Sequence, residues 1–384
     1  MKLTEYLVLL CAGFAAFTAC SLTGEDPNGP VVPGPGPGTS DGDLVLKVSP
    51  QVIQANGTDE ALITVYQDGV AVTEGVQLYD GNNSPIDLPD MKFTTTEAGT
   101  YSFWASLGTK NTDVVKVTAI DFPVPDLPED PEPDNASFSR KVLLTQFTGT
   151  GCGFCPGMIT TLRNIMSDEA CSSKFLLAVA HTYNGNDPAY LDPEYQLDQA
   201  MGVSNYPYIV ADMYLGFNNY NSPAALEMVI DQAYSYAEAK AGIAVSSSLD
   251  GNTLVVRAQV KAAETSEYRI GAWLLEDGIK GDQANNRPNT WTGDFNTHDN
   301  CIRIADSKVN NIDFTGYTLG TIAAGQTAEH AFVMTLDEEW VKENCHLILF
   351  VTVPDRERNA YVVNNAVACS ISGDAPYQYE KAFE

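Results

Sequence analysis

The sequence predicts a multidomain chain in which a central α/β domain is flanked by two all-β sandwiches. Residues 43–121 alternate apolar and polar side chains in short runs, residues 140–241 alternate strand-like with helix-like segments, and residues 243–375 are strand-like again. At 384 residues, 44% hydrophobic and 18% charged, the chain is long enough for two or three packed domains and is not a disordered protein.

Residues 1–20 read as a targeting segment: Lys2, an apolar stretch from Tyr6 to Phe17, then Thr18-Ala19-Cys20. The stretch is too short and wrongly flanked for a retained transmembrane helix. Small residues directly before a cysteine resemble the lipobox of bacterial lipoproteins, which implies cleavage before Cys20 and lipid on its sulfur. Phe17 stands where leucine is commonest in that pattern, and the other reading is an ordinary secretory signal with a chance cysteine. On either reading the protein leaves the cytoplasm, so disulfides are permitted.

Residues 21–40, with Pro33-Gly34-Pro35-Gly36-Pro37-Gly38, carry almost nothing apolar and read as a stalk that cannot bury a core. Residues 41–121 form the first sandwich: Leu44 to Val48, Ala61 to Tyr66, Tyr101 to Ala105 and Val114 to Val117 are strand runs, separated by turn signals such as Asn56-Gly57, Asp68-Gly69 and Asp80-Gly81. Ala98-Gly99-Thr100-Tyr101-Ser102-Phe103 resembles the late-strand signature of bacterial immunoglobulin-like domains. Residues 122–139 contain five prolines between Pro123 and Pro133, with acids interspersed, and read as a semi-rigid spacer.

In the 140–241 domain a strand run, Val142 to Phe147, precedes a helix run, Met158 to Met166, and Phe175 to Ala180 is a second apolar strand. Asp192 as N-cap, Pro193 at the first position and Gly202 as the stop predict one helix, and Ser222-Pro223 predicts another with Leu226, Val229, Ile230, Ala233 and Tyr234 on one face. Residues 242–384 hold six strand runs, among them Leu347 to Val353 and Tyr361 to Cys369, and read as the second sandwich; Gly281 to Asn300 is a long polar loop.

A formal charge of −29 with only 21 lysines and arginines excludes nucleic acid as a partner, because phosphate binding is driven by cations that release counterions. The acidity reads as a well-solvated surface; no carboxylate loop with calcium spacing stands out.

The residues that carry chemistry are Cys152-Gly153-Phe154-Cys155-Pro156, between the first strand and the first helix of the α/β domain. Cysteines three apart at a helix start suit thiol–disulfide exchange: free backbone amides and the helix dipole favour thiolate at Cys152, and Cys155 lies near enough to resolve a mixed disulfide. Gly153-Phe154 between them does not fix the direction of electron flow. A closed structural disulfide or half of a zinc site is the alternative; no second Cys-x-x-Cys or close histidine pair completes a metal site, and no cofactor is implied.

With the strand ahead of the motif and Tyr206-Pro207 opening another strand-like run, the domain resembles the thioredoxin superfamily. The resemblance implies that Pro207 is cis and that Tyr206 and Pro207 flank the cysteines and pair with an incoming polypeptide. Thr148-Gly149 before the motif, Thr297-His298-Asp299-Asn300 before Cys301-Ile302-Arg303, and the lipoprotein-like start resemble the twenty-eight-kilodalton-type outer-membrane-protein family of Bacteroidetes, most directly over residues 140–375. The expected fold is thus a thioredoxin-like centre between two immunoglobulin-like sandwiches, held at the cell envelope, in the outer membrane, through an N-terminal lipid on Cys20. Thioredoxins place a buried acid six positions before the first cysteine to take the resolving thiol's proton; this chain has Gln146, whose amide accepts no proton, so resolution by Cys155 needs water or another base. His181, ending the second strand on the expected site edge, either tunes the Cys152 thiolate or is hydrogen-bonded near a strand end.

Four further cysteines remain past the anchor: Cys171, Cys301, Cys345 and Cys369. If 345–353 and 361–369 pair as a hairpin with Val353 facing Tyr361, equal steps bring Cys345 opposite Cys369, within disulfide reach; two buried thiols are the alternative. Two functions follow from these readings. One is a membrane-tethered thiol–disulfide oxidoreductase acting on extracytoplasmic proteins. The other is a binding or adhesion lipoprotein whose thioredoxin fold is redox-inert.

Overall fold

A computed structural model of the chain describes residues 44–308 and 313–380. The expected signal segment, Cys20 and the stalk lie outside the described residues. The fold is mostly β, built from several sheets.

The N-terminal sandwich pairs Leu44–Ser49 with Ala61–Gln67 in one sheet and Gly99–Leu107 with Val115–Ile120 in the other. The alternation read from the sequence matches burial: Leu44, Leu46, Ala61, Ile63 and Val65 point inward, where they meet Ile53, Phe103 and Val117. The Pro-rich segment lies against the C-terminal sandwich. Its acids explain why: the Lys261 ammonium sits 2.8 Å from Asp130 and 2.6 Å from the Pro133 carbonyl.

The α/β segment and the C-terminal segment share one nine-stranded sheet. Its order runs Leu215–Phe217, Tyr208–Ala211, Val142–Thr148, Phe175–His181, Cys301–Asp306, Ser266–Glu276, Cys345–Asp355, Ala360–Ser370, with Tyr317–Ile322 also on Ser266–Glu276. Val142–Thr148 and Phe175–His181 run parallel, as expected of strands buried on both faces. The junction is the parallel pairing of Val179 with Cys301. A four-stranded sheet of Thr327–Thr335, Thr253–Ala262, Ala241–Asp250 and Asp374–Ala375 forms a second layer, with Tyr268, Phe332, Leu349 and Val351 in the core between.

Two helices cover one face of the shared sheet. Cys155–Met166 and Pro223–Tyr236 bury Met158, Leu162, Leu226 and Ile230 against Val142, Leu144 and Ile209. The second helix starts as read: the Ser222 hydroxyl accepts from the Ala225 amide at 3.2 Å, and Pro223 occupies the first turn. The helix expected from Asp192 to Gly202 is instead two short pieces, Pro193–Tyr195 and Leu197–Ala200, because Gln196 sits at φ 50° between them. A left-handed residue cannot continue an α-helix.

The C-terminal hairpin corrects the cysteine pairing. Pro354, not Val353, faces Tyr361, and a bulge between Val351 and Thr352 shifts the register again, so Cys369 opposes Leu347. The disulfide between Cys345 and Cys369 does not form: both are buried free thiols, as are Cys171 and Cys301. Burial pushes the Cys345 thiol up to about 12.

Candidate functional site

The Val142–Thr148 strand delivers the chain to a turn in which the Cys152 amide donates to the Gly149 carbonyl and the Cys155 amide to the Cys152 carbonyl. Cys152 and Cys155 are joined as a disulfide with Cα atoms 5.4 Å apart. The helix begins at Cys155, and Phe154 at its N-cap offers no side-chain cap, so the positive end of the helix dipole lies at the sulfurs, while the Cys155 and Gly157 amides are taken by the Cys152 and Phe154 carbonyls and Pro156 has none. Cys152 therefore stands on the turn ahead of the helix. It is also covered: Cys152 is 3% exposed and Cys155 fully buried.

The cover is the polar loop. Ala284 donates its amide to the Thr150 carbonyl at 2.7 Å and Asn286 to the Gly153 carbonyl at 2.8 Å. The Gln283 amide nitrogen lies 2.9 Å from the Cys152 carbonyl, 3.1 Å from that of Thr150 and 3.2 Å from that of Gly149. Trp291 meets Phe154 and Tyr220 edge-on, and the Arg287 guanidinium stacks over Phe154 and Trp291. Fit is close enough to demand glycine: a Cβ on Gly153 would lie 2.4 Å from the Asn286 side chain, and one on Gly157 2.7 Å from Trp291.

Under the turn lies an acid that the sequence reading missed. The Asp187 carboxylate accepts from the Thr150 amide at 2.6 Å, the Ala189 amide at 2.9 Å and His181 Nδ1 at 2.8 Å. Burial alone would raise its pKa, yet these donors, His181 foremost, hold it at about 2. His181 is thus anchored within the fold, its ring edge-to-face with His298 at 4.9 Å. The Asn184 side-chain oxygen accepts from the Gly151 amide at 3.0 Å.

The Tyr206–Pro207 peptide bond is cis. Pro207 lies one register step beyond the pair Phe147↔Tyr208, level with the end of the strand that leads to the cysteines. The Tyr206 hydroxyl is 2.9 Å from Thr182 Oγ1 and 3.1 Å from Asp198 Oδ2, and burial pushes it up to about 12. Gln146 sits inside the strand, 3% exposed, and its Nε2 has no partner among the described residues. Among the described residues no group of three or more His, Cys, Asp or Glu is placed to hold a metal ion. The structure therefore sets Cys152, Cys155, His181 and Pro207 beyond or at one end of neighbouring strands, with Gln146 two positions inside that end, and leaves Cys345 and Cys369 in the far sandwich.

Residues 194–370 match the family model described as outer membrane protein Omp28. That match places the protein in the outer membrane or cell envelope. The matched segment begins after the cysteine motif and takes in the covering loop and the C-terminal sandwich. Among solved structures, HBP35 of Porphyromonas gingivalis is similar in fold, with a TM-score of 0.51 and 18% identity over 65% of this chain and 80% of that one. A protein from Agrobacterium tumefaciens aligns with a TM-score of 0.40 and 12% identity over 64% of this chain and 98% of that one. No curated protein matches the sequence.

Proposed function

We propose that this envelope protein is a thiol–disulfide exchange protein with a thioredoxin-like centre, tethered through a lipid on Cys20 and acting on extracytoplasmic proteins. The observation that carries the reading is the Cys152–Cys155 disulfide at the uncapped start of a buried helix, with cis Pro207 at the neighbouring strand end. In the oxidising direction a substrate thiolate attacks Cys152 Sγ, the sulfur–sulfur bond breaks, and Cys155 leaves as the thiolate. A second substrate thiolate then attacks the substrate sulfur of the mixed disulfide, forming the substrate disulfide and releasing Cys152 as the thiolate. The helix start favours each thiolate as it forms. The reducing direction is the same path reversed.

The covering loop adds a condition. With Cys152 3% exposed, an attacking sulfur reaches it only after the segment holding Gln283 and Asn286 lifts. The same burial supports a second reading, a binding lipoprotein with an inert structural disulfide.

Turnover separates them. The full chain, incubated with a reduced dithiol peptide or with an oxidised protein substrate, should exchange disulfides at a rate that Cys152→Ser abolishes. Equal rates for the wild type and the Cys152→Ser, Cys155→Ser double variant would leave the binding reading standing.

A further inference from the structure

The loop over the cysteines is itself a polypeptide seated on the exchange site, and the way it is held describes what else that surface accepts. Ala284 and Asn286 donate their backbone amides to the carbonyls of Thr150 and Gly153, at 2.7 and 2.8 Å. Amides two residues apart point to the same side of an extended chain, and main-chain pairing of this kind holds a peptide with little regard to its sequence. Side chains add selection. The Gln283 amide donates to the Cys152 carbonyl at 2.9 Å, and the Trp291 indole, 5% exposed, lies edge-on to Phe154 and Tyr220. Gly157 makes room for that indole, since a Cβ there would stand 2.7 Å from it.

The loop is hinged on a stem of its own. Ile279–Lys280 pairs with Thr297–His298, and the Gly281 amide donates to the Asn296 carbonyl at 3.1 Å, so residues 283–291 form a tip beyond a closed hairpin base. Lifting the tip takes the backbone donors from the Thr150 and Gly153 carbonyls and empties the aromatic slot over Gly157, beside a Phe154 that is 40% exposed even with the loop in place. A polypeptide that carries a sulfur to Cys152 then lies where the tip lay, against the same carbonyls and the same slot. We infer that residues 283–291 are a tethered stand-in for the substrate, which is an extended polypeptide segment bearing a large aromatic side chain. That the segment brings a sulfur rests on the exchange reading; that it competes with the tip for one surface does not.

The probe is a fluorescently labelled synthetic peptide with the sequence of residues 281–292, titrated by anisotropy into the full chain. Gln283→Ala in the protein raises the open fraction, so the peptide should bind that variant about five-fold or more tighter than the wild type, whose own tip competes. A chain with residues 283–291 replaced by a short Gly-Ser link, its fold checked by circular dichroism, removes the competitor altogether and should bind tighter still. Methylating the two peptide nitrogens that correspond to Ala284 and Asn286 should weaken binding about ten-fold, and Trp291→Ala in the peptide should do the same. Equal binding of the native and methylated peptides, or no saturable binding to the folded link variant, would overturn the assignment. Because the readout is binding, exchange turnover without peptide binding overturns the stand-in alone, while peptide binding without turnover supports the shared surface and counts against the exchange reading.

Discussion

Gln283→Ala should accelerate reduction of the Cys152–Cys155 disulfide. The Gln283 amide nitrogen faces the carbonyls of Gly149, Thr150 and Cys152 at 2.9–3.2 Å, yet carries two hydrogens, so it satisfies at most two at a time. Each bond is worth about 0.5–1.5 kcal/mol net, which gives about 1–3 kcal/mol for the pair. Removing the side chain leaves the Ala284 and Asn286 backbone bonds in place, so the loop is loosened and not lost. If opening precedes attack on Cys152, the open population and the observed rate rise together, by roughly five- to 150-fold. The assay is pseudo-first-order reduction by dithiothreitol, quenched in acid and read by mass after maleimide labelling, with circular dichroism confirming an intact fold. A rate within two-fold of the wild type, with the fold intact, would refute the claim that this loop gates the disulfide.

Three other perturbations follow from the same geometry. Gln146→Glu supplies a carboxylate beneath the cysteine helix and should speed the resolving step; unchanged stopped-flow turnover would exclude that role. Asp187 has its folded pKa depressed to about 2, below the unfolded value, so its stabilisation is present above that unfolded value and is lost as pH falls from about 4 to about 2. The shift corresponds to about 2 kcal/mol, and Asp187→Asn should flatten the acid limb of a stability–pH curve by that amount. Arg140→Met strips the charge partner of the fully buried Asp212, whose carboxylate accepts from Arg140 Nη2 at 2.6 Å and from the Leu143 amide at 2.8 Å. Denaturant unfolding should show a loss of about 3–5 kcal/mol. Burial already pushes Asp212 up to about 6 against the pull of Arg140. A carboxyl raised in the fold contributes its stability at low pH and loses it as pH rises, so the deficit should be larger at pH 8 than at pH 5.

The sequence made local features legible and long-range ones illegible, for physical reasons. Leu44, Leu46, Ile63 and Val65 announced their strands because one face is buried and one is wet, which imposes a period of two. The cysteine motif and Ser222-Pro223 were legible because each is a short-range backbone device, whereas the cis bond at Tyr206-Pro207 was implied only by the resemblance. The pairing of Val179 with Cys301 was not: the partners lie 122 positions apart, and no local preference encodes that contact. It joins what reads as two domains into one sheet. The hairpin register failed for a related reason, since a bulge at Val351 leaves no mark on the hydrophobic pattern yet moves Cys345 out of line with Cys369. Gly281 to Asn300 read as a loop because it lacks periodicity. Its amide side chains were the available sign that it satisfies backbone groups: Gln283 those of the cysteine turn, and Asn285 and Asn296 those of the loop itself. Asp187 gave no signal, standing in a polar turn until the fold brings Thr150 and His181 to it.

The most direct test of the central claim is the reduction potential of the Cys152–Cys155 pair in the full chain, measured by equilibration against glutathione and alkylation trapping. Exchange competence predicts a value between those of thioredoxin and the strong periplasmic oxidants, roughly −270 to −120 mV. A value well below about −300 mV would contradict it and mark a structural disulfide in a binding protein.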